Sequence, residues 1–479
     1  MHCPLIVLGG GPGGYAAAFL AADLGMDVTI VEADPRLGGT CLLRGCIPSK
    51  ALLHVAKVVS EARELTHEWG VTLEKRDVRI DALRARKEKV IATLTGGLKQ
   101  LAKQRKVRVI NARGVFENST TLRLEGDDRA TWPEGADRLT FDHCILASGS
   151  VPTKIPAFDL PTDRVMDSTG ALELRDIPET LLVVGGGYIG LEMGSVYAEL
   201  GTKVSVVELT DGLLPGADRD LVKPLHQRLQ SLYAGIYLKT KVTGLADKGD
   251  AIEVAFDGPE GVRTERFSRV LVSVGRRPNS KGLGLENTKV KVNDRGFVEV
   301  DHQQRTADPH ILAIGDVAGE PMLAHKASHE GRVAAEVLHG EPATFEPKAI
   351  PAVVFTDPEI AWAGLTESQA QAAGREVEVV KYPWAASGRA QSLGRTEGLT
   401  KLIVDPELDR ILGVGIVGPG AGELIAEGVL AIEMGCDVRD LTESIHPHPT
   451  LSETVAFAGE VYFGTATEIY KPKKREAVS

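Results

Sequence analysis

The sequence is poor in cysteine, in aromatic residues and in long apolar runs. Five cysteines in 479 residues exclude a secreted scaffold held together by disulfides. No apolar run approaches the roughly 20 residues that a membrane-spanning helix needs. Acidic residues outnumber basic residues by 66 to 55, and this balance argues against a nucleic-acid-binding face. Residues 1–8 do not fit a signal peptide, so we expect a cytoplasmic protein with neither a membrane nor a nucleic acid as partner.

Glycine, by contrast, is abundant, with 52 residues. This excess suits an α/β protein with many tight turns between strands and helices. The length of 479 residues predicts about three domains.

The strongest pattern is an internal duplication. The loop GGGPGG at 9–14 and the loop GGGYIG at 185–190 each follow an apolar run, so the second copy repeats the first at a fixed offset of 185 − 9 = 176. Each loop opens an apolar helical stretch and then a β-branched run that ends in glutamate, at Glu32 and Glu208. Both glutamates follow the third loop glycine at the same spacing, since 32 − 14 and 208 − 190 are equal.

This arrangement is typical of a dinucleotide site. The first glycine makes a tight turn, the second lets the backbone approach a pyrophosphate, and the third lets the helix pack on the strand. The glutamate accepts a hydrogen bond from a ribose hydroxyl and repels a 2′-phosphate, so NAD is favoured over NADP at the second site. The alternative is a pair of structural turns without a ligand. The predicted loop glycines are Gly9, Gly11 and Gly14 in the first copy and Gly185, Gly187 and Gly190 in the second.

Two cysteines follow the first glutamate. On a regular helix the Cα atoms of Cys41 and Cys46 would be about 8 Å apart, beyond the ~7 Å limit for a disulfide. If the two cysteines pair, the turn between them must be irregular, and Gly45 would help. The alternative is two unrelated buried thiols. A zinc site would need four ligands at spacings such as CxxC, and the sequence does not have them here, so we expect no metal.

At this point a resemblance is evident. The stretch GGTCLLRGCIPSK at 38–50, between two glycine loops, resembles the pyridine nucleotide–disulfide oxidoreductases. The resemblance covers essentially the whole chain. Its further motifs are ILASGS at 145–150, GRRPN at 275–279, AIGDV at 313–317, MLAHK at 322–326 and HPHPTLSE at 446–453.

The resemblance implies an α/β fold with two Rossmann-like dinucleotide-binding domains, for FAD and NAD, and a C-terminal α+β dimerisation domain. The expected segments are an FAD domain at 1–150, an NAD domain at 151–272, a central segment completing the FAD domain at 273–345, and a dimer-interface domain at 346–479. A homodimer is therefore expected. Within the family the motifs are most similar to enzymes that oxidise dihydrolipoyl groups on a lipoyl domain or lipoyl carrier protein.

The resemblance also assigns roles to individual residues. It implies a redox disulfide in which Cys46 lies beside the flavin and Cys41 exchanges with the substrate. His448 is the expected base, with Glu453 orienting it, and it comes from the partner subunit. An alternative for Glu453 is a helix capping box that starts at Thr450, because TLSE fits that pattern.

Further residues are expected around the cofactors. Lys50 and Glu192 would pair close to the flavin, although a surface salt bridge is the alternative. Asp316 would bind the ribityl chain, and Tyr188 would cover the flavin until nicotinamide arrives, unless it is simply an exposed aromatic. The remaining expected cofactor contacts are Thr40, Lys50, Gly114, Ser148, Gly149, Met322, Leu323, Ala324, Val242 and Gly275.

The sequence departs from the family in the spacer between the cysteines. It reads LLRG at 42–45, where the usual spacer is close to LNVG. Because cations stabilise thiolates, we expect Arg44 to lower the pKa of the neighbouring thiols, unless it points to solvent. The basic run KPKKR at 471–475 is interpreted as a solvated end.

The same residues bear on other functions. Thioredoxin- and mercury-reducing relatives need an additional thiol or selenol pair near the C-terminus, and residues 468–479 contain no cysteine. Glutathione-type reductases favour NADP, which Glu208 opposes. Another NAD(P)H-dependent flavin disulfide reductase or a diaphorase remains the alternative. A non-catalytic flavin scaffold would lack the cysteines or His448.

Overall fold

The computed structural model describes residues 1–72, 78–127, 129–134 and 137–470. The basic run at 471–475 lies outside these residues. Within them, no helix is both long and apolar enough to cross a membrane.

The helices of the described chain range from 6 to 25 residues. They are α1 (Pro12–Asp23), α2 (Gly39–Arg44), α3 (Cys46–Glu68), α4 (Ile80–Gln104), α5 (Ser168–Glu173), α6 (Tyr188–Glu199), α7 (Arg219–Leu232), α8 (Ala324–His339), α9 (Glu367–Ala373), α10 (Gly388–Leu393), α11 (Ala421–Met434), α12 (Val438–Glu443) and α13 (Glu453–Phe463). Short 3₁₀ turns occupy Pro156–Phe158, Leu285–Asn287, Gly315–Val317 and Trp384–Ala386.

The strands of the described residues form five sheets. They are β1 (His2–Leu8), β2 (Val28–Glu32), β3 (Arg108–Asn111), β4 (Arg113–Asn118), β5 (Thr121–Glu125), β6 (Arg138–Leu146), β7 (Ser150–Pro152), β8 (Val165–Met166), β9 (Thr180–Val184), β10 (Lys203–Val207), β11 (Gly235–Tyr237), β12 (Lys241–Asp247), β13 (Ile252–Gly258), β14 (Gly261–Phe267), β15 (Arg269–Val272), β16 (Arg276–Pro278), β17 (Ile311–Ala313), β18 (Ala352–Val354), β19 (Ile360–Gly364), β20 (Glu378–Pro383), β21 (Leu399–Val404) and β22 (Ile411–Val417).

The first sheet contains the N-terminal strands. Their order is β3-β2-β1-β6-β5-β4, and β17 returns from much later in the chain to pair with β6. The strands β3, β2, β1, β6 and β17 run parallel. Strands of a parallel sheet are covered on both faces and are therefore apolar. Ile6 and Val7 of β1, which point to opposite faces, are both fully buried.

The second sheet repeats the central geometry of the first. Its order is β11-β10-β9-β15-β8, and its pairs are parallel. Leu8 pairs with Val31 in the first sheet, and Val184 pairs with Val207 in the second, so both partners are shifted by the offset that separates the glycine loops. The duplication seen in the sequence therefore extends to strand register.

The chain passes between these two sheets twice. The chain leaves the first sheet through β7 and comes back through β16, and the two short strands pair antiparallel. A separate antiparallel sheet of β12, β13 and β14 is inserted between β11 and β15.

The C-terminal part forms an antiparallel sheet of order β18-β19-β22-β21-β20. One hydrophobic core unites this sheet with α11 and α13, and Tyr382 and Trp384 are among its fully buried members. The predicted fold class, two Rossmann-like units and a C-terminal α+β unit, is confirmed.

A buried lysine ties the second unit to the C-terminal one. Lys401 of β21 is 1% exposed, and its ammonium lies 2.7–2.8 Å from the carboxylates of Asp218, Asp220 and Glu367. These acids are close enough together to hold a metal ion, but the ammonium already supplies them with a positive charge.

Candidate active site

The site forms around a cavity of about 640 Å³ where the first glycine loop meets the cysteine helices. This volume is in the range of small-molecule and cofactor pockets. Its walls bring together most of the residues that the sequence predicted. Those residues are Gly9, Gly11, Gly14, Glu32, Thr40, Cys41, Cys46, Lys50, Gly114, Ser148, Gly149, Tyr188, Glu192, Asp316, Met322 and Ala324.

The glycine loops have the tight geometry that a dinucleotide site needs. Gly9 has φ +114°, and a Cβ there would lie 2.3 Å from the carbonyl oxygen of Ala147. A Cβ on Gly14 would lie 1.9 Å from the oxygen of Gly9. In the second copy a Cβ on Gly190 would lie 2.4 Å from the oxygen of Gly185. Any side chain at these positions would separate the helix from its strand.

The two glutamates have the same hydrogen-bond partners in both copies. Each carboxylate accepts from the N–H of the residue after the first loop glycine and from the N–H two residues after itself. The distances are 2.5 Å from Gly10 and 2.8 Å from Asp34 to Glu32, and 2.7 Å from Gly186 and 2.8 Å from Thr210 to Glu208. Glu32 keeps a free lone pair on each oxygen, and Glu208 keeps one on Oε2, because its Oε1 also accepts from the Thr210 hydroxyl at 2.8 Å. Both acids can therefore still accept from a ribose hydroxyl.

The two cysteines face each other across a break between helices. α2 ends at Arg44, α3 begins at Cys46, and Gly45 lies between them with φ −147° and ψ −117°. A Cβ on Gly45 would lie 2.8 Å from the oxygen of Thr40, which explains the glycine. Both cysteines are free thiols, and the Cys41 thiol is hydrogen-bonded to the Cys46 sulfur. The irregular turn that pairing requires is present.

A salt bridge lies beside the thiols. Lys50 Nζ is 2.8 Å from Glu192 Oε2, and Glu192 is 4% exposed, so this is not a surface pair. The backbone N–H of Phe355 donates to Glu192 Oε1 at 3.1 Å, and Lys50 Nζ lies 4.4 Å from the centre of the Phe355 ring. Phe355 belongs to the C-terminal part and was not foreseen from the sequence.

These groups separate the pKa values of the two thiols. The hydrogen bond from Cys41 and the charge of Lys50 lower the pKa of Cys46 to about 7, although burial opposes them. The same hydrogen bond and burial raise the pKa of Cys41. The hydrogen bond between the thiols and the charge of Lys50 therefore favour the thiolate at Cys46 over the thiolate at Cys41.

Lys50→Met is expected to raise the pKa of Cys46 by about one unit, because a nearby cation is lost and the carboxylate of Glu192 is left unpaired. Only the thiolate is alkylated, so reaction falls as pH drops through the pKa. The measurement is the pH dependence of iodoacetamide labelling of the reduced holoprotein, read by mass spectrometry at Cys46. Lys57→Met on the same helix, whose ammonium faces Glu359, is the control. An unchanged midpoint in Lys50→Met would contradict the assignment.

Asp316 is held by two residues that the sequence reasoning missed. Ser150 Oγ donates to Asp316 Oδ2 at 2.5 Å, and Arg276 Nε donates to Ser150 Oγ at 2.8 Å. Arg276 also donates to the Ser150 carbonyl at 2.7 Å. Arg276 belongs to the GRRPN motif and Ser150 ends the ILASGS motif, so the signal for both was present in the sequence.

The other predicted cofactor contacts do not all line this cavity. Leu323 is the N-cap of α8, between the cavity-lining Met322 and Ala324. Tyr188 lines the cavity but is 40% exposed. Its desolvation there raises the pKa of its phenol to about 12, so the phenol is neutral. Gly275 has φ +108° after β15. Val242 packs in the core of the second unit, so a dinucleotide could meet only its backbone.

His448 and Glu453 form a pair outside this cavity. His448 Nδ1 donates to Glu453 Oε1 at 2.9 Å, and the His448 side chain is 76% exposed. Glu453 also accepts from the N–H of Thr450 at 2.7 Å. One contact of the alternative capping box is therefore present. The reciprocal contact is not, because the Thr450 hydroxyl donates to the carbonyl of Pro447 and α13 begins at Glu453 with Ser452 as its N-cap.

Arg44 does not act where it was expected. Its guanidinium donates to the carboxylate of Asp34. The cation next to the thiols is Lys50, which helps to lower the pKa of Cys46 and opposes the rise in the pKa of Cys41. The expectation that Arg44 tunes the thiols is corrected by this placement.

Family models decide the classification. A model described as pyridine nucleotide-disulphide oxidoreductase matches residues 4–331, and a model of the dimerisation domain of the same family matches residues 350–458. The chain belongs to the pyridine nucleotide-disulphide oxidoreductase family. Membership in this family, with its dimerisation domain, supports a homodimer.

Relatives of the family match nearly the full chain. Dihydrolipoyl dehydrogenase of Vibrio cholerae serotype O1 is 50% identical over 473 residues, which covers 98% of each chain. Dihydrolipoyl dehydrogenase of Halobacterium salinarum is 44% identical over 96% of each chain. The crystal structure of LpdA from Mycobacterium tuberculosis superposes with a TM-score of 0.87 at 27% identity, covering 96% of this chain and 99% of that one.

FAD and NAD are the cofactors of this family and of the chain. Three features of the cavity fit FAD: the glycine cradle, the acceptor capacity left on Glu32, and the buried Ser148 Oγ. Among the described residues, Ser148 Oγ has no hydrogen-bond partner, so it is available to a ligand.

Proposed function

We propose that the chain is a dihydrolipoyl dehydrogenase. It oxidises a protein-bound dihydrolipoyl group through a redox disulfide of Cys41 and Cys46 and passes the electrons through FAD to NAD. The observation that carries the proposal is the dithiol in the cavity wall, with one thiol of lowered pKa, beside the first of two dinucleotide sites. Relatives of that name, 42–50% identical along the chain, support the substrate class.

The first step is thiol–disulfide exchange. A substrate thiolate attacks Cys41 Sγ of the oxidised pair, the disulfide breaks, and Cys46 leaves as a thiolate. The second substrate thiolate then attacks the mixed disulfide, which releases the oxidised lipoyl ring and leaves two reduced cysteines. Exchange is faster when the leaving thiol has a low pKa, and the pKa of Cys46 is lowered to about 7.

Lys50 and Glu192 prepare Cys46 for the next transfer. When bound, FAD would accept two electrons from the thiol pair and deliver a hydride to nicotinamide. The ammonium of Lys50 holds negative charge on Cys46, and Glu192, fixed by the backbone of Phe355, keeps that ammonium in place. Ser150 and Arg276 orient the carboxylate of Asp316 on the cavity wall.

The base that forms the substrate thiolate is His448 of the partner subunit. In one chain, the exposed imidazole of His448 is not part of the cavity wall that carries the thiols. Glu453 accepts a hydrogen bond from Nδ1–H, which fixes the tautomer in which Nε2 is unprotonated and able to take a proton from the substrate. Glu453 also stabilises the imidazolium that results.

The proposal includes the four-segment division at 150, 272 and 345, with the dimer interface in the last segment. The division is supported by the sheet order, in which β17 completes the first sheet after the second sheet has been formed. The proposal also includes a lipoyl domain or lipoyl carrier protein as partner and a cytoplasmic location.

A second candidate function is the reduction of a different disulfide at the expense of NAD(P)H. It is favoured by the similarity to the HOCl-induced flavoprotein disulfide reductase RclA from Escherichia coli, with a TM-score of 0.83 at 28% identity over 94% of this chain and 98% of that one.

A steady-state assay of the purified protein separates the two functions. NAD with dihydrolipoamide, and then with dihydrolipoyl domains of several multienzyme systems, is expected to give rapid NADH formation, and NADP is expected to be a poor acceptor because Glu208 repels its 2′-phosphate. Rapid NAD(P)H oxidation by another disulfide, with negligible dihydrolipoamide turnover, would favour the second function.

A further inference from the structure

Each dinucleotide site has a glutamate that accepts from two backbone N–H groups, yet the two ligands behave differently during turnover. A flavin that relays electrons must stay bound, whereas NAD is consumed and has to leave as NADH in each cycle. Because the two sites are related by a constant offset in the sequence, each contact at one can be compared with its counterpart at the other. The difference between them lies two residues after the glutamate.

At the first site this residue is Asp34, and it is fixed from three directions. Its N–H donates to Glu32 Oε1 at 2.8 Å, and its carbonyl accepts from Asn111 Nδ2 at 2.9 Å. Its carboxylate accepts from the guanidinium of Arg44, at the end of α2. The loop after β2 is thereby tied to the cysteine-bearing helix on the wall of the cavity, which both Asp34 and Arg44 line.

At the second site the corresponding residue is Thr210. Its carbonyl is also held, by the N–H of Lys239 at 2.8 Å, but its side chain carries no charge that could bind a cation. Its N–H repeats the contact to Glu208 at 2.8 Å, but its hydroxyl turns back to the same carboxylate at 2.8 Å. The counterpart of Arg44 at the same offset is Asp220, and this acid is bound to Lys381 and Lys401. At Thr210 the second site therefore lacks the side-chain ion pair that bridges the first site at Asp34.

The charges around the first site give Arg44 a further role. The cations lining the cavity are Arg44, Lys50, Arg113 and Arg276. Lys50 is bound to Glu192, Arg276 to Ser150, and Arg113 to the carbonyl of Gly282. Arg44 is the one that acts on the ribose-binding end. Burial and the charge of Asp34 raise the pKa of Glu32, while the N–H donors and Arg44 oppose that rise.

We propose that Arg44 and Asp34 form a clasp across the adenosine half of the bound FAD, so that the first site retains its dinucleotide while the second exchanges it. Arg44 is then a FAD-retention residue rather than a regulator of the thiols. The proposal rests on FAD at the first site and is independent of the lipoyl substrate.

The test is the rate of FAD release. Arg44→Val introduces the residue usual in the family, and Asp34→Asn keeps the size of the side chain while removing its charge. Each holoprotein is diluted, and the fluorescence of FAD in the ultrafiltrate is followed with time. Both variants are expected to release FAD about tenfold faster than the parent, since a charge-assisted contact is lost. The double variant should release it no faster than either single one, because the two side chains form one contact.

Controls separate this effect from general loosening. Arg36→Val removes an exposed arginine from the same loop and should leave the rate unchanged. The Kd for NADH should be the same in all variants. If Arg44→Val fails to fold, as judged by circular dichroism, Asp34→Asn alone carries the test.

Release within twofold of the parent in Arg44→Val and Asp34→Asn would overturn the clasp. So would unchanged release together with a shifted pH midpoint for Cys46 labelling, which would return Arg44 to the thiols. Neither measurement uses a lipoyl substrate, so failure of the clasp and failure of the proposed activity are distinguishable.

Discussion

Turnover of dihydrolipoamide is expected to fall about 100-fold or more when His448 is replaced by alanine, because general-base catalysis of this kind contributes 10²–10⁴. FAD content should be unchanged, since the His448 side chain is 76% exposed and lies outside the cofactor cavity. The measurement is kcat with NAD and dihydrolipoamide, together with the flavin-to-protein absorbance ratio. Glu453→Gln should lie between the parent and His448→Ala, because it keeps the imidazole and weakens its orientation.

The matched control is the neighbouring histidine of the same loop. His446 is bound through Nε2 to Glu427 at 2.7 Å, so it is not available as a base. His446→Gln should therefore retain most of the activity. Near-normal turnover in His448→Ala, or an equal loss in His446→Gln, would remove the catalytic role assigned to His448.

Cys41→Ser is expected to abolish oxidation of dihydrolipoamide, with a loss of at least about 1,000-fold, because the sulfur that exchanges with substrate is removed. Reduction of an artificial electron acceptor by NADH should persist, because that reaction needs no thiol. Both activities are measured on the same preparation. Their ratio distinguishes a lost exchange step from a damaged protein.

Cys436→Ser is the matched control for this prediction. Cys436 is a half-buried free thiol of the C-terminal part and does not line the cavity. It should leave both activities unchanged. Substantial dihydrolipoamide turnover in Cys41→Ser would mean that another group receives the substrate.

The features that could be predicted from the sequence are those encoded by short, repeated stretches of chain. The loop glycines are required locally, since a Cβ on Gly14 meets the oxygen of Gly9 from the same loop. Glu32 and Glu208 could be predicted in the same way, because each stands at the end of a β-branched strand of the repeat. The break between Cys41 and Cys46 could be anticipated because a regular helix cannot bring them together.

The contacts that were missed join residues far apart in the chain. Phe355 reaches Glu192 across 163 positions, and Arg276 reaches Ser150 across 126. No local pattern encodes such pairs. Arg44 was misjudged for a related reason, because its neighbours in sequence are thiols but its partner in space is Asp34.

The exposed position of His448 has a genetic consequence. If each thiol pair relies on the opposite subunit for its base, a chain with His448→Ala and a chain with Cys41→Ser are each inactive alone, yet their hybrid contains one complete centre. Random association of the two in equal amounts would restore about a quarter of the parental activity, because half of two-fold symmetric pairs are hybrids and each has one working centre of two. The two lesions would complement each other within one gene product.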